Sequence, residues 1–340
     1  MRRAALVKAL IVRLGSLGDV VHAIPAAAAL RHAFPQSRLD WLVDARHRDI
    51  VDLVTAVDRV VTLSGSTPRA WVQAVRDLRV ERYDVALDFQ GLMKSAVLAR
   101  ASGAGRVLGF SLWHLREKTA RPFYTSAEEG EGGHAIRKNL RLLRALDIDD
   151  DERIEFPLAE VESPQLASLR ATIGGVGFAL INPGAAWPNK RWPAERFGAL
   201  AVFMREVCAL TPVVLWGPGE QALADSVVGA SSGAAVPAPP TSVRDLVAMS
   251  RSARILVAGD TGPLHIATGV GTPTVSLFGP TYPARNGPWS PDDVVVSRAD
   301  RCGCHRDRQC HQAAWCLDDI SVAEVCAAVQ RRLAVARARE

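Results

Sequence analysis

The sequence has few cysteines and no long apolar run. Six cysteines in 340 residues are too few for a secreted disulfide scaffold, and no stretch approaches the roughly 20 apolar residues of a membrane span. The start, MRRAALVKALIVRLGSLGD, reaches Gly and Asp before any small-residue cleavage site, which argues against a signal peptide. We therefore expect a soluble protein of the reducing cytoplasm.

The excess of positive charge is also small. Lys and Arg number 41 against 36 Asp and Glu, which leaves a net charge of +5. Such a balance suits an anionic small molecule or a membrane headgroup surface better than a nucleic-acid duplex, so no nucleic-acid partner is expected. Hydrophobic residues make up 48% and charged residues 23%, proportions that exclude wholesale disorder.

Short runs of Val, Ile and Leu alternate with longer amphipathic stretches, a pattern typical of an α/β protein with parallel sheets. Nine strands are predicted, at 9–15, 38–45, 58–63, 83–91, 106–110, 177–184, 211–219, 253–260 and 272–280. Prolines and charges mark 157–167 as a linker. The sequence thus predicts two doubly wound domains, residues 1–160 and 161–320, that face each other across a cleft, followed by a C-terminal helix over 321–340.

The loop after the first strand carries Asp19. This strand, turn and helix lack the G-x-G-x-x-G fingerprint of dinucleotide binding and the G-x-x-x-x-G-K-[ST] of a P-loop, which disfavours NAD chemistry and ATP hydrolysis. Asp19 has two interpretations that the sequence leaves open. It is either a helix N-cap or a general base that takes a proton from an attacking hydroxyl.

Three segments of the second half have the features of a nucleotide diphosphate site. Lys190 and Arg191 lie in a turn between a strand and a helix, where a phosphate can bind. Glu220, in a Gly/Pro turn, either accepts hydrogen bonds from ribose hydroxyls or caps the next helix. The turn Asp260-Thr261-Gly262 opens a helix whose N-terminus suits a pyrophosphate. His265 follows in the first turn, where a histidine is either a ligand or a satisfied core residue.

Several motifs in order along the chain resemble those of glycosyltransferase family 9, the bacterial lipopolysaccharide heptosyltransferases. They are the S-x-G-D loop at 16–19, DFQGLMKSA at 88–96, NKRWP at 189–193, GDTGPLHIA at 259–267 and LFGPT at 277–281. The resemblance implies the GT-B fold, with two facing Rossmann-like domains, of which the N-terminal one binds the acceptor and the C-terminal one binds the nucleotide sugar.

The resemblance also implies an activity and residue roles. The family moves heptose from ADP-heptose to the Kdo/inner-core region of lipopolysaccharide, with inversion and without a metal. Asp19 matches the presumed base. The donor-binding positions are Lys190, Glu220, Asp260, Thr261, Gly262 and His265, and the acceptor-binding positions are Arg13, Lys94 and Arg116.

Three alternatives stay open: another nucleotide sugar, a protein acceptor, or a non-catalytic nucleotide-sugar-binding module. DFQGLMKSA resembles the branch that adds the first heptose, whereas NPGAAWPNKRWP is as similar to the branch that adds the second. The acceptor hydroxyl therefore stays undetermined.

Four cysteines lie close together near the C-terminus: Cys302, Cys304, Cys310 and Cys316. Their segment resembles one in family members that carry a four-Cys metal finger, but the first pair is C-x-C rather than C-x-x-C, which departs from common structural zinc sites. They form either a structural zinc or iron site, with His305 or His311 as a substitute ligand, or an ordinary loop of reduced thiols. Cys208 and Cys326 lie in apolar helical stretches and are expected in the core.

A second basic feature is the stripe of Arg137, Arg141 and Arg144 beside the apolar positions Ile136, Leu140 and Leu143. It is either a solvated helix face or a contact with anionic headgroups at the inner face of the inner membrane. The partners expected are thus a nucleotide-sugar donor, the lipopolysaccharide core or lipid A acceptor, and a peripheral membrane contact.

Overall fold

The computed structural model of the protein describes residues 8–130, 133–149, 153–305, 307–308, 310 and 315–338. The chain forms two compact units, Met1–Ala159 and Glu160–Glu340. Each unit is an α/β structure built on one six-stranded parallel sheet, so the predicted α/β class with parallel sheets is confirmed.

The first unit places its strands in the order β3-β2-β1-β4-β5-β6. The strands are β1 (Lys8–Val12), β2 (Arg38–Asp44), β3 (Arg59–Leu63), β4 (Val85–Asp88), β5 (Arg106–Phe110) and β6 (Ser126–Glu128). The helices are α1 (Leu17–Val21), α2 (Ile24–Ala33), α3 (Arg48–Val51), α4 (Pro68–Arg79), α5 (Met93–Ala101) and α6 (Ala135–Leu142). This order makes β1 and β4 neighbours.

The second unit repeats the same topology in the order β12-β11-β10-β7-β8-β9. Its strands are β7 (Phe178–Asn182), β8 (Thr211–Val214), β9 (Val236–Pro237), β10 (Ile255–Gly259), β11 (Thr274–Phe278) and β12 (Val294–Ser297). Its helices are α7 (Pro164–Thr172), α8 (Ala194–Glu206), α9 (Gln221–Ala230), α10 (Val243–Ser252), α11 (Gly262–Gly269), α12 (Pro283–Asn286) and α13 (Val322–Arg337). Here β7 and β10 are the neighbours.

The central strands are apolar along their whole length because helices cover both faces of each sheet. Residues 9–12 of β1 and 179–181 of β7 are fully buried. In a sheet of this topology the chain leaves in opposite directions from the first and fourth strands, and ligands bind at the crevice that this reversal opens at the strands' carboxyl ends. The loops after β1 and β4, and those after β7 and β10, therefore occupy the ligand-binding edge of their own unit.

The predicted C-terminal helix is present as α13. Ser321 is its N-cap: its hydroxyl accepts a hydrogen bond from the Glu324 backbone N–H (3.2 Å), and the Glu324 carboxylate accepts one from the Ser321 N–H (2.9 Å). This reciprocal arrangement satisfies two N–H groups that the helix itself leaves unpaired. Val325, Val329 and Leu333 lie in the core of the second unit.

All nine predicted strands are present, and three more lie outside the prediction. β6, β9 and β12 are short and lie at or beside sheet edges, where the apolar pattern is weakest. The predicted linker 157–167 extends too far, because α7 begins at Pro164. Ser163 caps this helix, and its hydroxyl accepts a hydrogen bond from the Leu166 N–H (3.0 Å). The helix predicted after the first strand is also two helices, α1 and α2.

The arginine stripe at 137–144, on α6 and the turn that follows it, is not a purely solvated face. Ile136, Leu140 and Leu143 are buried as expected, but Arg137 and Arg141 are half-buried. Arg137, Arg141 and Arg144 each interact with other groups of the protein. None of the helices in the described ranges has both the length and the apolar character that crossing a membrane requires.

Candidate active site

In the second unit, parallel pairing of β7 with β10 brings two polar loops together. Asn182, the last residue of β7, is in register with Ala258 of β10. The Asn182 side chain donates to the Gly184 carbonyl (2.9 Å) and to the Thr261 hydroxyl (3.2 Å), which ties the loop after β7 to the loop after β10. Lys190 lies on the first loop, and Asp260, Thr261 and Gly262 lie on the second.

Asp260 is the centre of this arrangement. One carboxylate oxygen accepts a hydrogen bond from Lys190 Nζ (2.7 Å) and the other from His265 Nε2 (3.1 Å). Burial alone would raise the pKa of Asp260, but the hydrogen bond from His265 and the charge of Lys190 outweigh it and hold the pKa well below its usual value. Asp260 is therefore ionised, and since a carboxylate only accepts hydrogen bonds, His265 carries its proton on Nε2.

Lys190 is oriented by these contacts rather than exposed to solvent. Its side chain is 15% exposed, and Nζ lies 4.7 Å from the centre of the Trp187 ring. An ammonium group has three N–H donors, and the contacts with Asp260 leave the group capable of donating to a ligand. The loop thus holds a fixed cation at the carboxyl edge of the sheet.

Helix α11 begins at this same cluster. Thr261 is its N-cap, and its first residues are Gly262 and Pro263. Gly262 brings no side chain to the helix mouth, and Pro263 has no N–H of its own to satisfy. The partial positive charge of the helix N-terminus adds to that of Lys190, so this corner of the second unit can bind an anion such as a pyrophosphate.

The Glu220 side chain also packs against the loop after β7. Its carboxylate accepts a hydrogen bond from the Gly217 N–H (3.1 Å) and lies 4.0 Å from the Arg191 guanidinium. A Cβ at Gly184 would overlap this carboxylate, so the glycine makes room for it. Glu220 does occupy the N-cap position of α9, but its side chain makes no capping hydrogen bond, which leaves the carboxylate oriented toward the loop.

In the first unit, Asp19 is the third residue of α1, and Ser16 is the N-cap. One Asp19 oxygen accepts hydrogen bonds from the Ser16 N–H (3.2 Å) and hydroxyl (3.0 Å). The other lies 2.7 Å from Arg13 Nη2, and the Asp19 side chain is 30% exposed. Asp19 is therefore an anchored carboxylate that still reaches solvent, as an acceptor of protons from a bound hydroxyl must.

The loops after β1 and β4 are joined by Arg13 and by Gln90, of which the sequence analysis did not select Gln90. Arg13 also donates to the Phe89 carbonyl, and Gln90 Oε1 accepts a hydrogen bond from the Leu14 N–H (2.7 Å). Gln90 follows Asp88, whose carboxylate accepts from Tyr124 and Ser95. Burial raises the pKa of Asp88, and these hydrogen bonds oppose that shift.

Lys94 and Arg116, two predicted acceptor-binding residues, are exposed on neighbouring segments. The Glu117 carboxylate accepts a hydrogen bond from the Met93 N–H (2.7 Å), which holds the start of α5 against the segment that carries Arg116. Arg13, the third, lies at Asp19 instead. It supports that carboxylate directly, and an acceptor role for it stays a prediction.

Four cysteines converge beside the loop that carries Lys190. The sulfurs of Cys302 and Cys304 lie 3.2 Å apart, and the thiols of Cys310 and Cys316 interact with Cys304 and Cys302 respectively. Burial raises the pKa of Cys304 to about 12. The Asn189 amide donates to Cys304 Sγ (3.6 Å), so the cluster contacts the residue that precedes Lys190.

The cluster is not a finished coordination shell. In the part of the chain that the structure describes, no three or more His, Cys, Asp or Glu side chains are arranged to hold a metal. His305 stacks on Tyr282, with ring centres 4.4 Å apart, and His311 lies outside the described residues. Cys208 lies in the core of the second unit, as expected, and Cys326 is partly buried and packs against that core.

Comparison with known proteins agrees with these features. The profile of glycosyltransferase family 9 (heptosyltransferase) matches residues 71–316. Lipopolysaccharide heptosyltransferase 1 of Pseudomonas aeruginosa is 30% identical over 313 residues, which are 87% of this chain and 85% of that protein.

Solved structures resemble the chain over nearly its whole length. The family 9 glycosyltransferase of Veillonella parvula superposes with a TM-score of 0.84 at 22% identity, over 98% of this chain and 99% of that one. The E. coli heptosyltransferase WaaC with ADP gives a TM-score of 0.79 at 22% identity, over 96% and 99%.

Proposed function

Since this chain belongs to glycosyltransferase family 9 and is a heptosyltransferase of lipopolysaccharide synthesis, we propose that its donor is ADP-heptose and its acceptor the Kdo/inner-core region. We propose further that transfer inverts the anomeric centre and needs no metal. The first unit would bind the acceptor and the second the nucleotide sugar, with the protein in the cytoplasm at the inner face of the inner membrane.

The observation that carries this proposal is the Lys190–Asp260–His265 cluster at the N-terminus of α11. When the bond from the anomeric carbon to ADP breaks, negative charge grows on the diphosphate. A fixed ammonium and a helix N-terminus stabilise that charge without first having to reorganise. Asp260 orients Lys190 and His265 for this task, and Thr261 and Gly262 form the helix mouth at which the pyrophosphate would lie.

Asp19 is proposed as the base that accepts the proton of the acceptor hydroxyl. The acceptor hydroxyl becomes acidic as its oxygen bonds to the anomeric carbon, so an anchored carboxylate suffices as the base. Its oxygens are held by Ser16 and Arg13, which fixes their direction. Lys94 and Arg116 would meet phosphates or carboxylates of the acceptor.

Product analysis tests the proposal as a whole. The purified protein is incubated with ADP-heptose and a Kdo-lipid A acceptor, and the product is examined by mass spectrometry. We expect the acceptor to gain the mass of one heptose in the presence of a chelator, and NMR of the product to show an inverted anomeric configuration. Activity only with a GDP- or UDP-sugar, or only with a non-heptose ADP-sugar, would refute the assigned donor.

Glu220 is proposed to accept hydrogen bonds from the donor's ribose hydroxyls. Gly184→Ala tests this role because the added methyl group would displace the Glu220 carboxylate. Loss of a hydrogen bond to a charged group is worth about 1.5–3 kcal/mol, so we expect ADP affinity to fall roughly tenfold or more in calorimetry. Gly229→Ala on α9, where a methyl group meets open space, is the matched control. Equal affinity of both variants would contradict the role.

The four cysteines are proposed to form a structural zinc or iron site that takes no part in transfer. Four thiolates are a donor set that suits either metal. The observed 3.2 Å between two sulfurs would need to widen to about 3.8 Å, since zinc–sulfur bonds are about 2.3 Å long. We expect about one metal ion per chain by elemental analysis, lost in Cys304→Ser and kept in Cys208→Ser. Metal-free, fully folded protein would contradict the site.

A further inference from the structure

The connection between β5 and β6 presents an indole ring to solvent. Trp113 is 79% exposed, the largest exposure of any large hydrophobic residue in the described ranges, and Leu112 beside it is 40% exposed. Burying such a side chain releases about 1.5–3 kcal/mol, and the connection leaves both side chains uncovered. Exposed apolar groups that form a patch commonly mark a contact surface.

Basic side chains lie on the same segment as this ring. Lys118 Nζ lies 5.5 Å from the centre of the Trp113 ring, and Arg116 is exposed on the same segment. The bond from the Met93 N–H to Glu117 and a backbone bond from the Glu117 N–H to the Gly91 carbonyl (3.3 Å) bring the start of α5 alongside. We name the Trp113 surface as the exposed set Met93, Lys94, Leu112, Trp113, Arg116 and Lys118.

The segment that presents this surface is held in place from beneath. Leu115 is buried, the Ser111 N–H donates to the Glu128 carbonyl (2.8 Å), and Lys138 Nζ donates to the His114 carbonyl (2.7 Å). His114 also pairs with Glu129 at 2.9 Å. The exposure of Trp113 is therefore a property of an anchored segment rather than of a loose end.

We propose that the Trp113 surface contacts the headgroup region of an anionic lipid bilayer. Trp is the side chain that membrane interfaces favour, because its ring is apolar and its N–H is polar. Leu112 and Met93 add apolar area, and Lys94, Arg116 and Lys118 supply three positive charges. Two carboxylates lie on or beside the same segment, that of Glu117, which is bonded to the start of α5, and that of Glu129, which is bonded to His114 and Ser111. This complementarity of charge favours a bilayer with anionic lipids over a neutral one. The proposal rests on the proposed function only in that a lipid-borne acceptor brings the protein to a membrane.

Vesicle sedimentation tests the surface. The full-length protein is mixed with vesicles of equal parts phosphatidylglycerol and phosphatidylethanolamine, and with phosphatidylcholine vesicles for comparison. We expect binding to the anionic vesicles that weakens as salt is added. Trp113→Ser should lower the partition coefficient roughly tenfold, and Lys118→Gln roughly fivefold at low salt. Val80→Ser removes an exposed apolar side chain (74% exposed) outside the Trp113 surface and should bind as the parent does.

Two further measurements separate this surface from the transfer reaction and from self-association. Trp113→Ser should transfer heptose to a soluble, deacylated acceptor as fast as the parent. If the parent binds vesicles but transfers no heptose, the proposed function fails and the Trp113 surface stands. The surface is overturned if the parent ignores anionic vesicles, if Trp113→Ser binds them equally well, or if light scattering shows that Trp113→Ser dissociates a dimer, since a second copy would then cover the ring.

Discussion

Replacing Asp19 by Asn is expected to lower kcat for heptose transfer by about 10²- to 10⁴-fold, the usual contribution of a general base. The amide keeps the size of the carboxylate and can still accept from Ser16, but it cannot take a proton from the acceptor hydroxyl. ADP binding should be unchanged, since the groups proposed to hold ADP lie in the second unit. Initial rates at saturating donor and acceptor, with ADP affinity from calorimetry, measure both.

Asp49→Asn is the matched control for that experiment. Asp49 is an exposed carboxylate in the first turn of α3, so its replacement removes a charge from the same unit without touching the Asp19 loop. We expect its rate to stay within about twofold of the parent, since surface substitutions usually have small effects. An Asp19→Asn variant that transfers heptose as fast as Asp49→Asn would remove Asp19 from the mechanism.

Replacing Lys190 by Gln is expected to reduce kcat by about 10²- to 10³-fold, the loss seen when one donor to a developing negative charge is removed. ADP affinity should fall as well, because the Lys190 ammonium would contact the diphosphate in the ADP complex and not only in the transition state. The substitution also removes the positive charge that pairs with the buried Asp260 carboxylate and leaves His265 as its remaining partner in this cluster. Breaking a buried ion pair costs about 3–5 kcal/mol, so the melting temperature should drop.

Lys190→Arg keeps the positive charge and shows whether a loss reflects folding or chemistry. It should restore most of the melting temperature but only part of the rate, because a planar guanidinium cannot place its N–H donors where the compact ammonium group places them. Arg244→Gln, at an exposed position on α10, serves as the control for loss of a cation from the second unit. If Lys190→Gln is stable and binds ADP as tightly as Arg244→Gln, the donor site lies elsewhere.

The sequence was sufficient to predict the elements on which Asp19 and Asp260 lie. Each follows a buried strand and lies at or near the start of a helix, a local pattern that the sequence alone indicates. It did not predict their partners. Lys190 and Asp260 are 70 residues apart, and Leu14 and Gln90 are 76 apart. They meet because β7 lies beside β10 and β1 beside β4, and strand order is a property of the whole sheet.

Exposure could not be predicted for a similar reason. Trp41 lies in a predicted strand, but the sequence gives no sign that Trp113 is exposed while Trp192, which also lies outside the predicted strands, is buried. Its position at the surface depends on how Leu115 and Lys138 hold the segment. Arg13 was predicted to face the acceptor, whereas its contact with Asp19 depends on the path of the loop after β1, which the order of residues does not fix.

The side-chain amide of Asn189 connects the cysteine cluster to the residue before Lys190. It donates to Cys304 Sγ and to the Asp307 carbonyl (3.0 Å), and the next residue is Lys190. Removal of the Cys304 sulfur would take away one of the two contacts that hold the Asn189 side chain, directly beside the backbone from which the ammonium extends. Nucleotide affinity and folding therefore need to be measured separately whenever this cysteine is altered.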